Sequence, residues 1–215
     1  MTTINYRAFF EAQQLYFTYG YQVIDVPWII SDIVHKATVP FSSTDNRYHD
    51  NKLPDGHLVG SAEQGFLELI KQNRLNYGCY QSISPCFRSE DVYDELHCRY
   101  FLKLELINYI NNKTTNKDSL KNCQIGLLNH AMIFFSSYFN KSNLKISQTD
   151  DENTIDIIHI PTQIELGSYG IRKIDNDFYI CGTGLAEPRF SVCRLRNSQL
   201  LHQQRIKKHD SKKRH

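Results

Sequence analysis

Two arginine-bearing segments hold the residues best suited to chemistry at a phosphate. The first is Cys86-Phe87-Arg88-Ser89-Glu90, followed after a polar stretch by Arg99-Tyr100-Phe101-Leu102-Lys103-Leu104-Glu105-Leu106. The second is Gly182-Thr183-Gly184-Leu185-Ala186-Glu187-Pro188-Arg189. A planar guanidinium grips phosphate oxygens as a rigid fork, which a mobile lysine cannot do. Glycines permit close approach to a backbone, although a lone Gly-x-Gly is a poor signal. Glu165-Leu166-Gly167-Ser168 adds a carboxylate and a hydroxyl, the hard oxygen donors that Mg²⁺ requires. Ser61-Ala62-Glu63 offers the carboxylate that suits an ammonium, and Arg172 could pair with a carboxylate. Taken singly, each has an ordinary alternative, such as a surface Arg–Glu pair or a solvent-facing strand glutamate beside a turn serine.

Positioning these residues falls to a series of short elements. Residues 5–19 place Phe9, Phe10, Gln13, Leu15, Tyr16 and Phe17 at three- and four-residue spacings, predicting a helix buried on one side and ended by Gly20. Residues 21–26 predict a strand closed by Pro27, which has no N–H for a ladder. The polar stretch 42–56 predicts a surface loop able to act as a lid. A short strand at 57–60 and a helix at 62–72 follow, with Phe66, Leu69 and Ile70 inward. Residues 81–87 and 99–110 predict a hairpin whose acidic tip is 89–97.

Residues 111–122, rich in Asn, Lys and Thr, predict an exposed connection, and 125–139 a helix. Short strands are expected at 144–147, 155–159, 163–166 and 178–181, then a helix from Pro188 to about Gln203. Antiparallel neighbours with few helices between them predict an α+β domain, an antiparallel β-sheet flanked by helices. That domain would span residues 1–204, with a basic, disordered tail at 205–215.

The 215 residues suffice for one well-packed core. Hydrophobic residues make up 40%, and 13 Tyr and 12 Phe supply aromatic bulk, which excludes wholesale disorder despite a mean hydropathy of -0.48. With 25 basic against 23 acidic residues, the chain makes no global claim on nucleic acid or membrane. Locally, Arg205, Lys207, Lys208, Lys212, Lys213 and Arg214 face only Asp210, which reads as a solvated terminus or as a phosphate contact. No apolar run spans a bilayer, and residues 1–7 lack the order of a signal peptide, so a cytoplasmic protein is expected. The six cysteines form no Cys-x-x-Cys pair, which argues against a zinc knuckle or disulfide framework. His35, His49, His57, His130 and His159 show no metal-ligand spacing.

In order and spacing these segments resemble the signature motifs of class II aminoacyl-tRNA synthetases. The helix–strand–proline unit that ends in Tyr21–Pro27 is similar to the first motif, which in that family builds a dimer interface and ends in proline. The Arg88 hairpin resembles the second, and Gly182–Arg189 the third. The resemblance implies that Arg88 and Arg189 are catalytic, stabilising charge on ATP phosphates, with Glu90 accepting from the adenine amino group and Phe101 stacking on its ring. Arg99, Gly182 and Gly184 complete the implied ATP site, with Glu165 and Ser168 as Mg²⁺ ligands.

Ser61 and Glu63 resemble the loop that reads the α-amino group in the seryl, prolyl and glycyl branch, with Arg172 as a partner for a carboxylate. Two departures stand out: Ala186 occupies the place of a third glycine, and Pro188 precedes the arginine. A branch of the family that charges carrier proteins holds zinc through a cysteine in the amino-group loop, and 61–63 contain none. The function implied is ATP- and Mg²⁺-dependent formation of an aminoacyl-adenylate, with transfer to tRNA or another acceptor, by a freestanding homodimer without an anticodon-binding domain. The alternative is a catalytically inactive paralogue acting as a regulatory or RNA-binding module.

Overall fold

The computed structural model describes residues 4–38, 51–88 and 92–212. Their architecture is α+β. A seven-stranded sheet runs in the order β1-β5-β6-β10-β9-β8-β7, and β2-β4-β3 form a small second sheet. The strands of the large sheet are β1 (Gln22–Val23), β5 (Gly78–Phe87), β6 (Tyr100–Ile110), β7 (Leu144–Gln148), β8 (Thr154–His159), β9 (Ile164–Ile174) and β10 (Asp177–Glu187). All its pairings are antiparallel except β1 with β5. The small sheet comprises β2 (Ile29–Ile30), β3 (Lys52–Leu53) and β4 (Gly56–Leu58).

Among the described residues, five α-helices accompany the sheets: α1 (Tyr6–Thr18), α2 (Asp32–Thr38), α3 (Ala62–Lys71), α4 (Lys117–Ser136) and α5 (Arg189–Lys212). Side chains alternate across a strand, and this sorts the two long central strands. On β6, Leu104 and Leu106 join a core with Tyr16 of α1, Leu127, Phe134 and Phe135 of α4, and Phe190 of α5. Phe101, Lys103 and Glu105, one residue out of phase, line a cavity on the other face. A second cluster packs α3, through Phe66, Leu67 and Ile70, against Ile107, Tyr179 and Cys181.

Several elements depart from expectation for identifiable reasons. Helix α4 begins at Lys117, inside the stretch expected to be an exposed connection, because Asn116 caps it by accepting from the Ser119 N–H at 2.8 Å. Polar residues that read as a loop are there a helix start. Strands β9 and β10 run on to Ile174 and Glu187, well past the expected ends at 166 and 181. The first motif's strand pairs only over Gln22–Val23. Helix α5 continues to Lys212, so the basic segment from Arg205 begins within it. The expected lid at 42–56 lies mostly outside the described residues; its last part forms the β3–β4 hairpin.

Candidate active site

A cavity of about 340 Å³ gathers residues from β6, β9, β10, α3, the end of α2, the start of α5 and Arg88, which directly follows β5. Ser61 caps α3 by accepting from the Glu63 N–H, which places both side chains at the helix N-terminus facing the sheet. The Ser61 hydroxyl donates to the Glu105 carboxylate on β6. Glu63 receives Arg172 Nη1 at 2.8 Å and the Tyr179 hydroxyl at 2.9 Å. Lys103 Nζ donates to Glu105 Oε1 at 2.7 Å. Two carboxylates and two cations thus form the floor, with the buried Cys181 thiol among them.

Electrostatics follow from this crowding. Burial would raise the Glu105 carboxyl, but the Lys103 ammonium, the Ser61 hydroxyl and the Cys181 thiol together hold it below its ordinary value. The Cys181 thiol is pushed well up by burial and by the nearby Glu105 and Glu63 carboxylates, so it stays neutral. The Tyr179 hydroxyl is raised in the same way, by burial and then Glu63.

The residues suited to phosphate line the same cavity. Arg88 Nε donates to the Gly60 carbonyl at 2.9 Å, and its guanidinium lies 5.2 Å from the centroid of the Phe101 ring. Arg189 opens α5 and donates to Glu165 Oε1 at 2.8 Å. Glu165 and Ser168 are three residues apart, a spacing that simple alternation would send to opposite faces. A bulge in the β8–β9 pairing lets Glu165 pair with Ile158 and Gly167 with Ile157, so both Glu165 and Ser168 line the cavity.

A second bulge, between Thr183 and Leu185, resets β10. Thr183 and Ala186 face the cavity, while Leu185 enters the core. Gly182 and Gly184 also face the core. A Cβ on Gly182 would sit 2.2 Å from the Tyr169 ring, and one on Gly184 would sit 2.3 Å from Leu104 and 2.8 Å from the Tyr16 ring. Both tyrosines donate to this strand, Tyr16 to the Gly184 carbonyl at 2.9 Å and Tyr169 to the Thr183 carbonyl at 2.8 Å. Close packing of rings on the strand is therefore what requires these glycines, and Thr183, Ala186 and Arg189 are the motif residues that meet the cavity.

Of the residues singled out in the sequence, Arg88, Phe101, Arg189, Ser61, Glu63, Arg172, Glu165 and Ser168 converge on one cavity. Arg99 lines a neighbouring groove with Tyr93, Tyr100 and Pro188, and its carbonyl accepts from the Arg88 N–H at 2.9 Å. Glu90 lies outside the described residues. Lys103, Glu105, Tyr179 and Cys181 carried no sequence-based role, although the period-two run Phe101, Lys103, Glu105 already put the first two on one strand face with the aromatic ring.

Asp156 was missed as well. It pairs in register with Ser168, whose hydroxyl it engages, and burial raises its carboxyl despite that bond. Its Oδ1 is buried without a hydrogen-bond partner among the described residues. A patch holding Glu165, Ser168 and an unmatched acceptor has the hard-oxygen chemistry that suits Mg²⁺.

No protein-family model and no curated protein matches the chain. Solved structures do. A pyrrolysyl tRNA synthetase from Desulfitobacterium hafniense superposes with a TM-score of 0.64 at 14% identity, over 87% of this chain and 68% of that one. Seryl-tRNA synthetase from Pyrococcus horikoshii, complexed with ATP, gives 0.61 at 15% identity, over 81% and 46%. Cytoplasmic serine-tRNA ligase from Naegleria fowleri, in complex with AMP, gives 0.62 at 15% identity, over 84% and 45%. The chain spans less than half the length of the two seryl enzymes. The fold is that of class II aminoacyl-tRNA synthetase catalytic domains.

Proposed function

We propose that this chain activates an amino acid with ATP, forming an aminoacyl-adenylate and pyrophosphate. The observation that carries the reading is the convergence of Arg88, Arg189, Glu165 and Ser168 with Ser61, Glu63 and Glu105 in a single cavity. Its arginines suit phosphates and its carboxylates an ammonium. In the reaction a carboxylate oxygen of the amino acid bonds to the α-phosphorus of ATP as the bond to pyrophosphate breaks. The attacking group is already an anion, so no general base is needed, and catalysis consists of positioning and charge stabilisation.

Arg88 is braced for that work by the Gly60 carbonyl and by Phe101, which limits its conformers before substrate arrives. Arg189 acts from the first residue of α5, where the helix N-terminus adds positive potential. Mg²⁺, held by Glu165 and Ser168, would offset phosphate charge. Asp156, on the adjacent strand, fixes the Ser168 hydroxyl. Glu63, shared with Arg172, and Glu105, shared with Lys103, offer carboxylate oxygens to the substrate ammonium, and the amine keeps its proton throughout.

The acceptor is tRNA or another hydroxyl, amine or thiol compound, and the working unit is a homodimer joined through the N-terminal layer. Among the described residues, no helix is long and apolar enough to cross a membrane. Amino-acid-dependent ATP–pyrophosphate exchange with Mg²⁺ tests the reading. Exchange stimulated by one amino acid should fall about 10²–10³-fold in R88A, the usual cost of losing one oriented donor to a developing anion.

A second reading is a synthetase-derived regulatory module that binds ligands without catalysis. It is favoured by Arg189 being engaged by Glu165 and by Ala186 where the motif has glycine. ATP binding by folded protein without exchange under any amino acid would select it.

A further inference from the structure

Glu63, Glu105 and Cys181 place a ligand atom each within 4.8 Å of one another, all three residues being buried. Carboxylate and thiol donors at this separation match the ligand types of a transition-metal site. The cluster's charge, however, is already met from within the chain. Lys103 Nζ donates to Glu105 Oε1 at 2.7 Å, and both side chains are largely shielded from solvent, at 13% and 3% exposure. The other Glu105 oxygen takes the Ser61 hydroxyl, and Glu63 takes Arg172 and Tyr179. A divalent ion on these three donors would have to displace an ammonium or share the cavity floor with it.

We propose that the Lys103 ammonium is the resident cation of this cradle, and that it keeps the Glu63–Glu105–Cys181 trio from binding a transition metal. The chemical class the cradle accepts is then a primary ammonium, since Lys103 shows one seated on Glu105. The inference stands on the geometry of these four residues and does not require adenylation. Where the proposed activity also holds, the amine of the amino acid meets carboxylates and not a metal, and Lys103 sets how much of Glu105 is left for it. Lys103 is then a specificity-determining residue, because the tethered cation occupies the Glu105 oxygen that a divalent ion would need as a ligand.

The test needs neither ATP nor turnover. The full chain is titrated with Co²⁺ as wild type, K103M and K103M/C181S, reading sulfur-to-cobalt charge-transfer absorption. Wild type should give no band, K103M should gain one at a single cobalt per chain, and K103M/C181S should lose it. K103R, which keeps the charge, should stay silent. If K103M does not fold, as judged by far-ultraviolet circular dichroism, K103Q carries the same comparison. A Cys181-dependent band in wild type, or a folded K103M or K103Q without one, overturns the proposal. Failure of pyrophosphate exchange would leave this result untouched, so the two readings fail separately.

Discussion

Arg189 Nη1 donates to Glu165 Oε1 at 2.8 Å, joining the cation that opens α5 to a carboxylate on β9. Neither is deeply buried, at 30% and 40% side-chain exposure, so solvent screening keeps the pair weak and easily parted. The proposed function needs that parting, since the arginine goes to phosphate and the glutamate to Mg²⁺.

Glu165→Gln should therefore raise the Mg²⁺ concentration needed for half-maximal exchange by about tenfold or more, because a metal-directed carboxylate is lost. Arg189→Ala should leave the Mg²⁺ requirement near wild type and lower the exchange rate instead. Magnesium titrations of both variants separate the roles. An unchanged requirement in Glu165→Gln would remove Glu165 from the metal site.

Gly182→Ala should destabilise the fold without touching nucleotide affinity in the folded fraction. Its Cβ would meet the Tyr169 ring at 2.2 Å, and overpacking of that kind typically costs about 1–3 kcal/mol. Urea midpoints and ATP titrations on the same preparation decide it. Unaltered stability with weakened ATP binding would return Gly182 to the nucleotide site.

That glycine shows where the sequence was legible and where it was not. The order of antiparallel elements led to the α+β class, and the resemblance of the motifs to a known family pointed to eight side chains that share a cavity. Which face a residue takes after a bulge is decided by pairing with a distant strand. Glu165 and Ser168 reach one face through the β8–β9 irregularity, and Gly182 and Gly184 turn inward to admit Tyr169 and Tyr16. Asn116 was hidden for a different reason, since a capping asparagine and a loop asparagine look alike until the helix behind it is known. Lys103 and Glu105 stood in a quoted motif, yet the bond from Ser61 to Glu105 and the proximity of Cys181 depend on three separate elements meeting.

Glu105 gives a pH dependence whose sign can be worked out. Its folded carboxyl lies below the ordinary value of 4.5, so the unfolded chain binds the proton more readily. The contribution to stability is complete above about 4.5 and is lost as pH falls through the lower folded value. Glu105→Gln should flatten the fall in stability below that point, as read from urea midpoints across the acid range. At neutral pH, Lys103→Met should destabilise by about 3–5 kcal/mol, since a buried carboxylate loses its cation. An acid limb of the stability curve that is identical in wild type and Glu105→Gln would show that Glu105 is not held below its ordinary value in the fold.

The N-terminal layer makes the last case. On α1, Tyr6, Phe10 and Phe17 follow helical spacing along one face and are 69%, 64% and 60% exposed, while Ala8, Phe9, Ala12 and Tyr16 face the core. Trp28 and Ile33 are 55% and 67% exposed nearby in sequence. Apolar side chains exposed in a row on one helix face usually mark a surface that another molecule covers, and this is the segment that resembles the family's dimer motif. Sedimentation should find a dimer in wild type that dissociates in the double variant F10K/F17K, with the fold retained because neither side chain contributes to the core. A wild-type monomer at high micromolar concentration would remove the homodimer from the proposed function and leave those aromatics to some other partner.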